Sequence, residues 1–451
     1  MIITKKDAIV TKKILLQSLC LISLLINYCT AQQAYANSGT GAFASNVNLT
    51  YPTLVNKFYE LNQNRLKWFT ADSDAHLLRQ LLKNKIDSAY LIGLSKERYH
   101  PVEINKSIGQ SFSDSDSISA LVTDRIFTDA AIAYCKDLFQ GKGIQQWMMY
   151  DEISSKYENQ DNIFLLSKLA DTQSAEDLSL FLNSLEPKDT AYAVIKNEFQ
   201  NRKDSLSPLQ EKQLSVSLNF QRWLHHFKFR KWIVVNIPSA TLTYYEYDSI
   251  KLKMKVVVGK PSTKTPRFAA HCNGIILYPY WNVPTSIALN ELLPKFKRNP
   301  SYVDDLNMQI IDVNGNIIDH HKLNWKLYNK GYFPFRIRQS TGCDNSLGVI
   351  KFNLTSPFSV YLHDTNYKGS FLLASRYLSH GCIRIEKPME LANYLLPQKI
   401  ETRFLEDCLK DQVPVTLSLP DLVPVFVVYQ TVETDIENQV KYYKDVYGLL
   451  K

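Results

Sequence analysis

Two short segments in the second half of this chain decide its fold: residues 361–365 read YLHDT, and residues 379–386 read SHGCIRIE. His363 ends a predicted strand, whereas Cys382 comes directly before another β-rich run. Adjacent strand ends in one sheet can bring an imidazole and a thiol together although the 18 residues 364–381 separate them. The sequence therefore predicts a β-rich domain built around this pair.

The residue types at these positions suit nucleophilic chemistry. A reactive thiol needs a base to take its proton, donors for a developing oxyanion and a turn that keeps the sulfur accessible. Cys382 supplies the sulfur, and either His363 or His380 can carry the proton. Gly381 permits close backbone approach, so that amides around Gly381 and Cys382 can point at a carbonyl oxygen. Local chemistry alone does not rank the two histidines.

Further strands are predicted on both sides of these segments. Residues 251–256 (KLKMKV) alternate strictly, which is the pattern of a half-exposed strand. Other β-rich runs lie at residues 232–237, 274–277, 348–354, 360–363, 383–385, 415–419 and 425–432. Residues 287–345 separate two groups of predicted strands. A segment of this length between strands is typical of an inserted subdomain, so we predict a capping subdomain at about residues 286–346.

The first half has a helical pattern. Between residues 51 and 226 apolar residues recur three and four positions apart, as at Val122, Ile126, Phe127, Ala130 and Ala131. No catalytic group of residues is evident there, so this half is predicted to be a scaffold. At 451 residues the chain has room for two domains and an export segment. We predict a helical domain over residues 37–225 and a catalytic domain over residues 226–451.

The N-terminus predicts export. Lys12 and Lys13 precede an apolar run at residues 14–26 that is short for a transmembrane helix. Small residues at positions 29 and 31, and again at 34 and 36, offer cleavage sites. We predict a signal peptide over residues 1–36 and a periplasmic or cell-envelope location, with lipidation at Cys29 or membrane association through an uncleaved segment as alternatives.

The charge balance argues against nucleic acid as a partner. The chain has 52 Lys and Arg against 44 Asp and Glu, a net charge of +8, and no window concentrates basic residues as a nucleic-acid groove requires. A mild positive charge is compatible with work near an anionic, carboxylate-rich cell wall.

Cysteine usage points to a free thiol. Cys20 and Cys29 lie in the predicted export segment, which leaves an odd number with no CxxC pair: Cys135, Cys272, Cys343, Cys382 and Cys408. At least one of these stays unpaired within the chain. Cys343 lies in a Gly-Cys-Asp loop without a neighbouring base, so we predict that it is a structural thiol.

His363, fifteen intervening residues and then SHGCIR at residues 379–384 resemble the active-site signature of L,D-transpeptidases with a YkuD-type catalytic domain. Segments at residues 234–238, 256–261, 279–284 and 347–352 are similar to the YcbB-like branch of that family. The resemblance covers roughly residues 210–450, and the helical half resembles the scaffold domain of that branch less specifically. The small peptidoglycan-binding helical domain common in the branch has no obvious match.

The resemblance implies an α+β fold, in which an N-terminal all-α scaffold domain precedes a β-rich YkuD-type catalytic domain of mixed β-sandwich or barrel-like form with an inserted capping subdomain. It also implies that Cys382 attacks the carbonyl between the third and fourth residues of a tetrapeptide stem. D-Ala then leaves, and an amine of a neighbouring stem resolves the thioester to give a 3-3 crosslink. The implied partners are donor and acceptor peptidoglycan stems, with no cofactor and no metal.

The resemblance gives roles to the remaining site residues. His363 is the principal base, oriented by the backbone carbonyl of Asp364, and His380 orders the site. Gly381 contributes backbone to the oxyanion site, and Arg384 supports the turn or attracts a substrate carboxylate. Further expected substrate-binding residues are Ser379, Tyr280 and Trp281, although simple packing explains the two aromatic residues equally well.

Three alternative interpretations stay open at this point. Water could resolve the thioester, which gives an L,D-carboxypeptidase, because the difference lies in the shape of the acceptor cleft and in water exclusion. The chain could be a non-catalytic wall-binding scaffold. His363, His380 and Cys382 could also bind zinc, although a further ligand with suitable spacing is missing. The histidine pairs at residues 225–226 and 320–321 are interpreted as solvated or capping residues.

Overall fold

The computed structural model describes residues 48–70, 72–112, 117–401 and 412–450. The predicted signal peptide, Cys20, Cys29 and Cys408 lie outside the described residues. Within the described part of the chain, no helix has the length and apolar character needed to cross a membrane.

The first half of the described chain is helical, as predicted. Its α-helices are α1 (Pro52–Leu61), α2 (Ser73–Asp87), α3 (Pro101–Ser107), α4 (Ser117–Gln140), α5 (Ser154–Asp171), α6 (Ala175–Leu185), α7 (Thr190–Asn201) and α8 (Pro208–His226). Ser207 starts α8 with a capping box, in which its side chain and that of Gln210 bond to each other's backbone N–H groups. The apolar stripe of the sequence lies on α4, where Phe127, Ala130 and Ala131 are buried in the helical core.

The second half forms a closed, barrel-like sheet. Its strands are β1 (Tyr150–Asp151), from the first half, and β2 (Lys231–Asn236), β3 (Thr241–Glu246), β4 (Ser249–Gly259), β5 (Phe268–Leu277), β10 (Ile350–Leu354), β11 (Leu362–His363), β12 (Tyr377–Ser379), β13 (Ile383–Ile385) and β14 (Val415–Val428). The strand order is β1-β5-β10-β11-β13-β4-β3-β2-β14. Because β14 also pairs with β5, the path from β5 to β14 closes on itself. The predicted α+β architecture with a barrel-like catalytic domain is confirmed.

One detail of the predicted strands is wrong. The two late strands expected at residues 415–419 and 425–432 are a single strand, β14, which ends at Val428. Its register shifts between Ser418 and Val423, in a stretch that contains Pro420. Proline cannot donate an N–H to a β-ladder and is found at bulges. The sequence therefore predicts the end of one strand at a position where β14 continues in the structure.

An inserted subdomain connects β5 to β10. It contains β6 (Trp281–Asn282), α9 (Thr285–Ile287), a π-helical turn (Ala288–Leu292), α10 (Leu293–Arg298), α11 (Tyr302–Asp305), β7 (Met308–Ile311), β8 (Ile317–Ile318) and β9 (Arg336–Gln339). These four strands form a separate sheet in the order β6-β9-β7-β8. A small apolar core that includes Phe296, Ile310 and Trp325 holds the inserted subdomain together.

A short helix after β13 and a hairpin after β14 are the remaining described elements. Helix α12 (Pro388–Leu395) follows β13, and its buried residues Leu391, Ala392 and Leu395 pack into the core of the barrel. Strands β15 (Val432–Thr434) and β16 (Val440–Tyr442) pair as an antiparallel hairpin. Val432 packs in one cluster with Ile195 and Phe199 of α7, so the hairpin contacts the helical half.

Helix α8 joins the two halves through an apolar interface. Trp223 is buried and lies edge-on to Phe426 of β14, with 5.1 Å between ring centroids. Its indole N–H donates to the hydroxyl of Ser154 at 2.9 Å. Because Trp223 also shares an apolar cluster with Trp232 of β2, the helical half and the barrel bury one continuous surface.

We expect Trp223→Ala to lower the free energy of unfolding by about 3–5 kcal/mol, the usual range for removing a buried aromatic side chain. The cavity would lie between α8 and β14, so both halves should lose stability together. Urea denaturation followed by circular dichroism measures the change. The exposed Leu209→Ala, on the same helix, is the control; equal stability of the two variants would contradict the interface described here.

Candidate active site

The register of three neighbouring strands assembles the candidate site. Lys351 of β10 is directly opposite His363 of β11, and His363 is directly opposite Arg384 of β13. Residues paired in this way point to the same face of a sheet, so these side chains form one row across three strands, which is called the catalytic row below. The alternate residues, among them Phe352 and Leu362, are fully buried in the barrel core on the opposite face.

Cys382 lies next to this row. Cys382 and Tyr361 each come two positions before a member of the row, and side chains two apart along a strand share a face. The Ile383 N–H donates to the Tyr361 carbonyl at 3.0 Å, which continues the pairing of the two segments toward Cys382. The predicted thiol and the His363 imidazole are therefore on one face of adjacent paired segments.

Hydroxyl groups hold the turn that carries the thiol. Ser379 is buried, and its hydroxyl accepts the Gly381 N–H at 3.0 Å and donates to the Cys382 carbonyl at 2.6 Å. Thr265 donates to the Gly381 carbonyl at 2.8 Å, and Thr263 donates to the Ser379 carbonyl at 3.0 Å. Gly381 has φ = +121°, a conformation that other residues rarely adopt. This bonding fixes the backbone around the sulfur.

These bonds engage two groups to which the family resemblance gives roles. The Gly381 N–H, a predicted contributor to the oxyanion site, donates to the Ser379 hydroxyl within the turn. The Ser379 hydroxyl, expected to bind substrate, is likewise engaged with backbone groups on both sides. A sequence motif gives the residue types at a site. It does not show which of their hydrogen-bonding groups are already paired within the turn.

His363 is almost completely buried, with 3% of its surface exposed. Its Nδ1 lies 2.5 Å from the backbone carbonyl of Asp364. A carbonyl only accepts, so Nδ1 carries the proton and Nε2 keeps a free lone pair. The Asp364 carboxylate accepts the Val349 N–H at 3.1 Å and also contacts Lys368, which anchors the segment that orients the imidazole.

The electrostatics favour a neutral imidazole and a neutral thiol. Burial, together with the charges of Arg384 and Lys351, lowers the pKa of His363 to about 3, against the opposing effect of the Asp364 carbonyl. Burial raises the pKa of Cys382, although the Tyr361 backbone and the same two cations oppose that shift. Both shifts favour the uncharged forms, a thiol at Cys382 and a neutral imidazole at His363.

Residues 230–415 match the YkuD family, described as the L,D-transpeptidase catalytic domain, and residues 53–199 match the Scaffold domain family. The chain therefore carries a YkuD domain. The two matches follow the division of the structure into a barrel with its insertion and a helical half. The predicted family and the predicted scaffold domain are both confirmed.

Known proteins with related sequences or folds carry the same family name. The chain is 29% identical over 407 residues to a putative L,D-transpeptidase of Haemophilus influenzae, covering 89% of this chain and 78% of that protein. An L,D-transpeptidase structure from Mycobacterium smegmatis aligns at 17% identity and a TM-score of 0.22, over 44% of this chain and 58% of its own. L,D-transpeptidase 1 of Mycobacterium tuberculosis aligns at 14% identity and a TM-score of 0.19, over 44% and 61%. The present chain thus spans about three-fifths of each of these solved chains.

The second histidine of the YkuD motif has a different environment. His380 is 42% exposed, and its Nε2 lies 2.8 Å from the carboxylate of Glu291, itself 47% exposed. Glu291 is on the π-helical turn of the inserted subdomain, a geometry that is frequent at functional sites. The structure therefore separates the two histidines: His363 is buried in the catalytic row, and His380 connects the thiol-bearing turn to the insertion.

Tyr280 and Trp281 lie at the base of the inserted subdomain in the YkuD domain. The Arg338 guanidinium is 4.1 Å from the centre of the Tyr280 ring. Trp281 belongs to β6 and packs against the core of the insertion. The contacts of both aromatic residues are thus those of packing within the insertion.

The sequence prediction missed Lys351 and Tyr361. The Lys351 ammonium lies 3.7 Å from the centre of the Tyr361 ring, and the charge of Lys351 acts on both Cys382 and His363. The spacing of Tyr361 two residues before His363 was a usable signal, since it places both side chains on one face. Lys351 could not be found this way, because its position depends on pairing between distant segments.

The remaining cysteines leave Cys382 as the accessible free thiol among the described residues. Cys135 and Cys272 are free but buried, and burial raises the pKa of each, that of Cys272 to about 12. Cys343 is disulfide-bonded. The expectation of a structural thiol at Cys343 is therefore wrong, because pairing depends on the approach of distant segments.

The predicted histidine pairs have acidic neighbours. His320 and His321 lie 3.0 and 3.5 Å from one carboxylate oxygen of Asp304. His226 lies 3.4 Å from Asp161, and its Nδ1 contacts the Trp223 carbonyl at 2.6 Å. Neither pair lies in the catalytic row.

We expect alkylation of Cys382 by iodoacetamide to show no step near pH 6.5, the ordinary pKa of histidine. His363 stays neutral down to about pH 3, and the raised pKa of Cys382 means that the thiolate fraction grows only in the alkaline range. Peptide mass spectrometry of Cys382 between pH 4 and 10 measures the rate. A high plateau between pH 5 and 7 would contradict the neutral pair, since a thiolate–imidazolium pair reacts there.

Proposed function

We propose that this protein is a peptidoglycan L,D-transpeptidase that acts in cell wall biogenesis with Cys382 as its nucleophile. It would cleave the bond between the third residue and D-Ala of a tetrapeptide stem and join the acyl group to an amine of an acceptor stem. The observation that carries the proposal is the placement of a partly exposed free thiol and a buried neutral imidazole on one face of paired segments within a YkuD domain.

In the acylation half-reaction, Cys382 Sγ attacks the carbonyl carbon and His363 Nε2 takes the thiol proton. A bond forms between sulfur and carbon, the carbon–nitrogen bond to D-Ala breaks, and the imidazolium gives its proton to the leaving amine. A neutral imidazole is needed at the start, and burial beside two cations keeps His363 in that form. The Asp364 carbonyl holds the tautomer that leaves Nε2 free.

In the second half-reaction, an acceptor amine attacks the thioester. His363 takes a proton from the amine as the carbon–nitrogen bond forms, and the sulfur leaves and recovers a proton. The product is a link between the third residues of two stems. Exclusion of water from the acceptor side would favour this outcome over hydrolysis.

The oxyanion would be stabilised by the turn that carries the sulfur. Because the Gly381 N–H is bonded to Ser379, we assign the donor role to the Cys382 N–H of the same turn. His380 would order this turn through Glu291, and Arg384 would face the substrate from the end of the catalytic row. Tyr280 and Trp281 would contact the donor stem from the base of the inserted subdomain, which would act as the predicted cap.

The helical half would serve as a scaffold for the catalytic domain, through the interface around Trp223. Membership of the YcbB-like branch and export to the periplasm fit a wall-modifying enzyme, and both remain predictions from the sequence. The predicted signal peptide, residues 1–36, lies outside the described residues.

Replacing the nucleophile tests the proposal most directly. We expect Cys382→Ala to abolish crosslink formation on tetrapeptide muropeptides and to prevent the covalent adduct that a carbapenem should form with the wild-type protein. Intact-protein mass spectrometry detects the adduct, and chromatography of the muropeptides with and without an acceptor stem separates crosslinking from hydrolysis. The proposal fails if the variant keeps its activity or if the wild-type protein forms neither adduct nor crosslink.

The two histidines give a matched pair of variants. We expect His363→Gln to slow acylation by about 10²–10⁴-fold, the usual contribution of a general base. His380→Gln removes only a half-exposed contact to Glu291, so its effect should be much smaller. Stopped-flow acylation rates compare them. A larger loss in His380→Gln than in His363→Gln would reverse the assignment.

A further inference from the structure

Two cations of the catalytic row have no acidic partner among the described residues. Lys351 and Arg384 flank His363, and both are about half-buried. The ion pairs of the described residues involve other lysines and arginines, not these two. Burial lowers the pKa of both cations, and no carboxylate of the described residues opposes that shift.

Withdrawing two unpaired cations from water costs free energy, unless the cations bind an incoming anion. A cation withdrawn from water loses solvation energy, which a paired carboxylate ordinarily offsets. Lys351 recovers part of this energy from the face of the Tyr361 ring, 3.7 Å from its ammonium. Tyr361 and Cys382 each precede a residue of the row by two positions, so the ammonium lies on the face of the sheet that carries the row.

We infer that Lys351 and Arg384 form a carboxylate-binding site beside Cys382, which holds an anionic group of the donor stem during acylation. The inference rests on the proposed function and adds Lys351 as a substrate-binding residue. A guanidinium can bind both oxygens of a carboxylate, and an ammonium adds a point charge from the other side. His363 lies between the two cations, so the anion would be held close to the attacking sulfur and its base.

A donor stem offers this chemistry from two sources. One is the α-carboxylate of the D-residue that leaves, and the other is a side-chain carboxylate of the third residue. Both lie within a few bonds of the scissile carbonyl, so either could reach the row. Amidating one carboxylate at a time distinguishes them.

The first experiment needs no peptidoglycan activity. Iodoacetate and iodoacetamide alkylate the same sulfur with loss of iodide, and they differ chiefly in the negative charge of iodoacetate. We compare the ratio of their rates at Cys382 in the wild type, Lys351→Gln, Lys351→Arg and Lys251→Gln, the last an exposed lysine of β4. Any effect of Lys351 on the thiolate itself cancels in the ratio.

We expect the ratio of iodoacetate to iodoacetamide rates to fall about tenfold in Lys351→Gln, as for the loss of one charge-assisted hydrogen bond. Lys351→Arg should keep most of the ratio, and Lys251→Gln should leave it unchanged. Circular dichroism verifies that the variants are folded. An unchanged ratio in folded Lys351→Gln, or an equal fall in Lys251→Gln, overturns the inference.

The second experiment uses three tetrapeptide donors: one unmodified, one amidated at the C-terminal D-residue and one amidated at the third-residue side chain. We expect wild-type kcat/KM to fall about tenfold on one amidated donor, and Lys351→Gln to lose that discrimination. If the wild type processes all three donors equally, or if Lys351→Gln discriminates as the wild type does, the carboxylate site is refuted while the transpeptidase assignment stands. If no donor is processed, the proposed function fails, and the alkylation ratio still decides the inference.

Discussion

The pairing register of β10, β11 and β13 is the constraint on which the site depends. It aligns Lys351, His363 and Arg384 on one face and sends Phe352 and Leu362 into the barrel core on the other. A slip of one residue along any of these strands would exchange the two faces. The apolar residues that stabilise the barrel therefore also fix the positions of the polar ones.

The same register sets the protonation state of the site. Burial and two neighbouring cations lower the pKa of His363, and the raised pKa of the partly exposed Cys382 favours its protonated form. In the proposed reaction, negative charge would develop near these two cations. Among the described residues Lys351 and Arg384 have no acidic partner, so no carboxylate there neutralises their charge beside the imidazole.

Elements distant from the row hold it in place. β14 closes the barrel between β5 and β2, and α8 packs across the same strand through Trp223. The turn at residues 379–382 is tied to β4 and to the loop after it through Thr263 and Thr265. His380 extends these connections to Glu291, so the inserted subdomain contacts the turn that carries the thiol.

The sequence by itself determined the family, the order of the helical and β-rich halves, and the cysteine and histidine types at the centre, because these depend on local spacing and on a motif read along the chain. It also placed the interruption between β5 and β10. Only the tertiary structure decided the separate environments of His363 and His380, the use of the Gly381 N–H within the turn, the disulfide at Cys343 and the position of Lys351 in the catalytic row. Each of these depends on which distant segments lie side by side, and strand register is fixed by burial of the whole barrel core and not by neighbours in the chain.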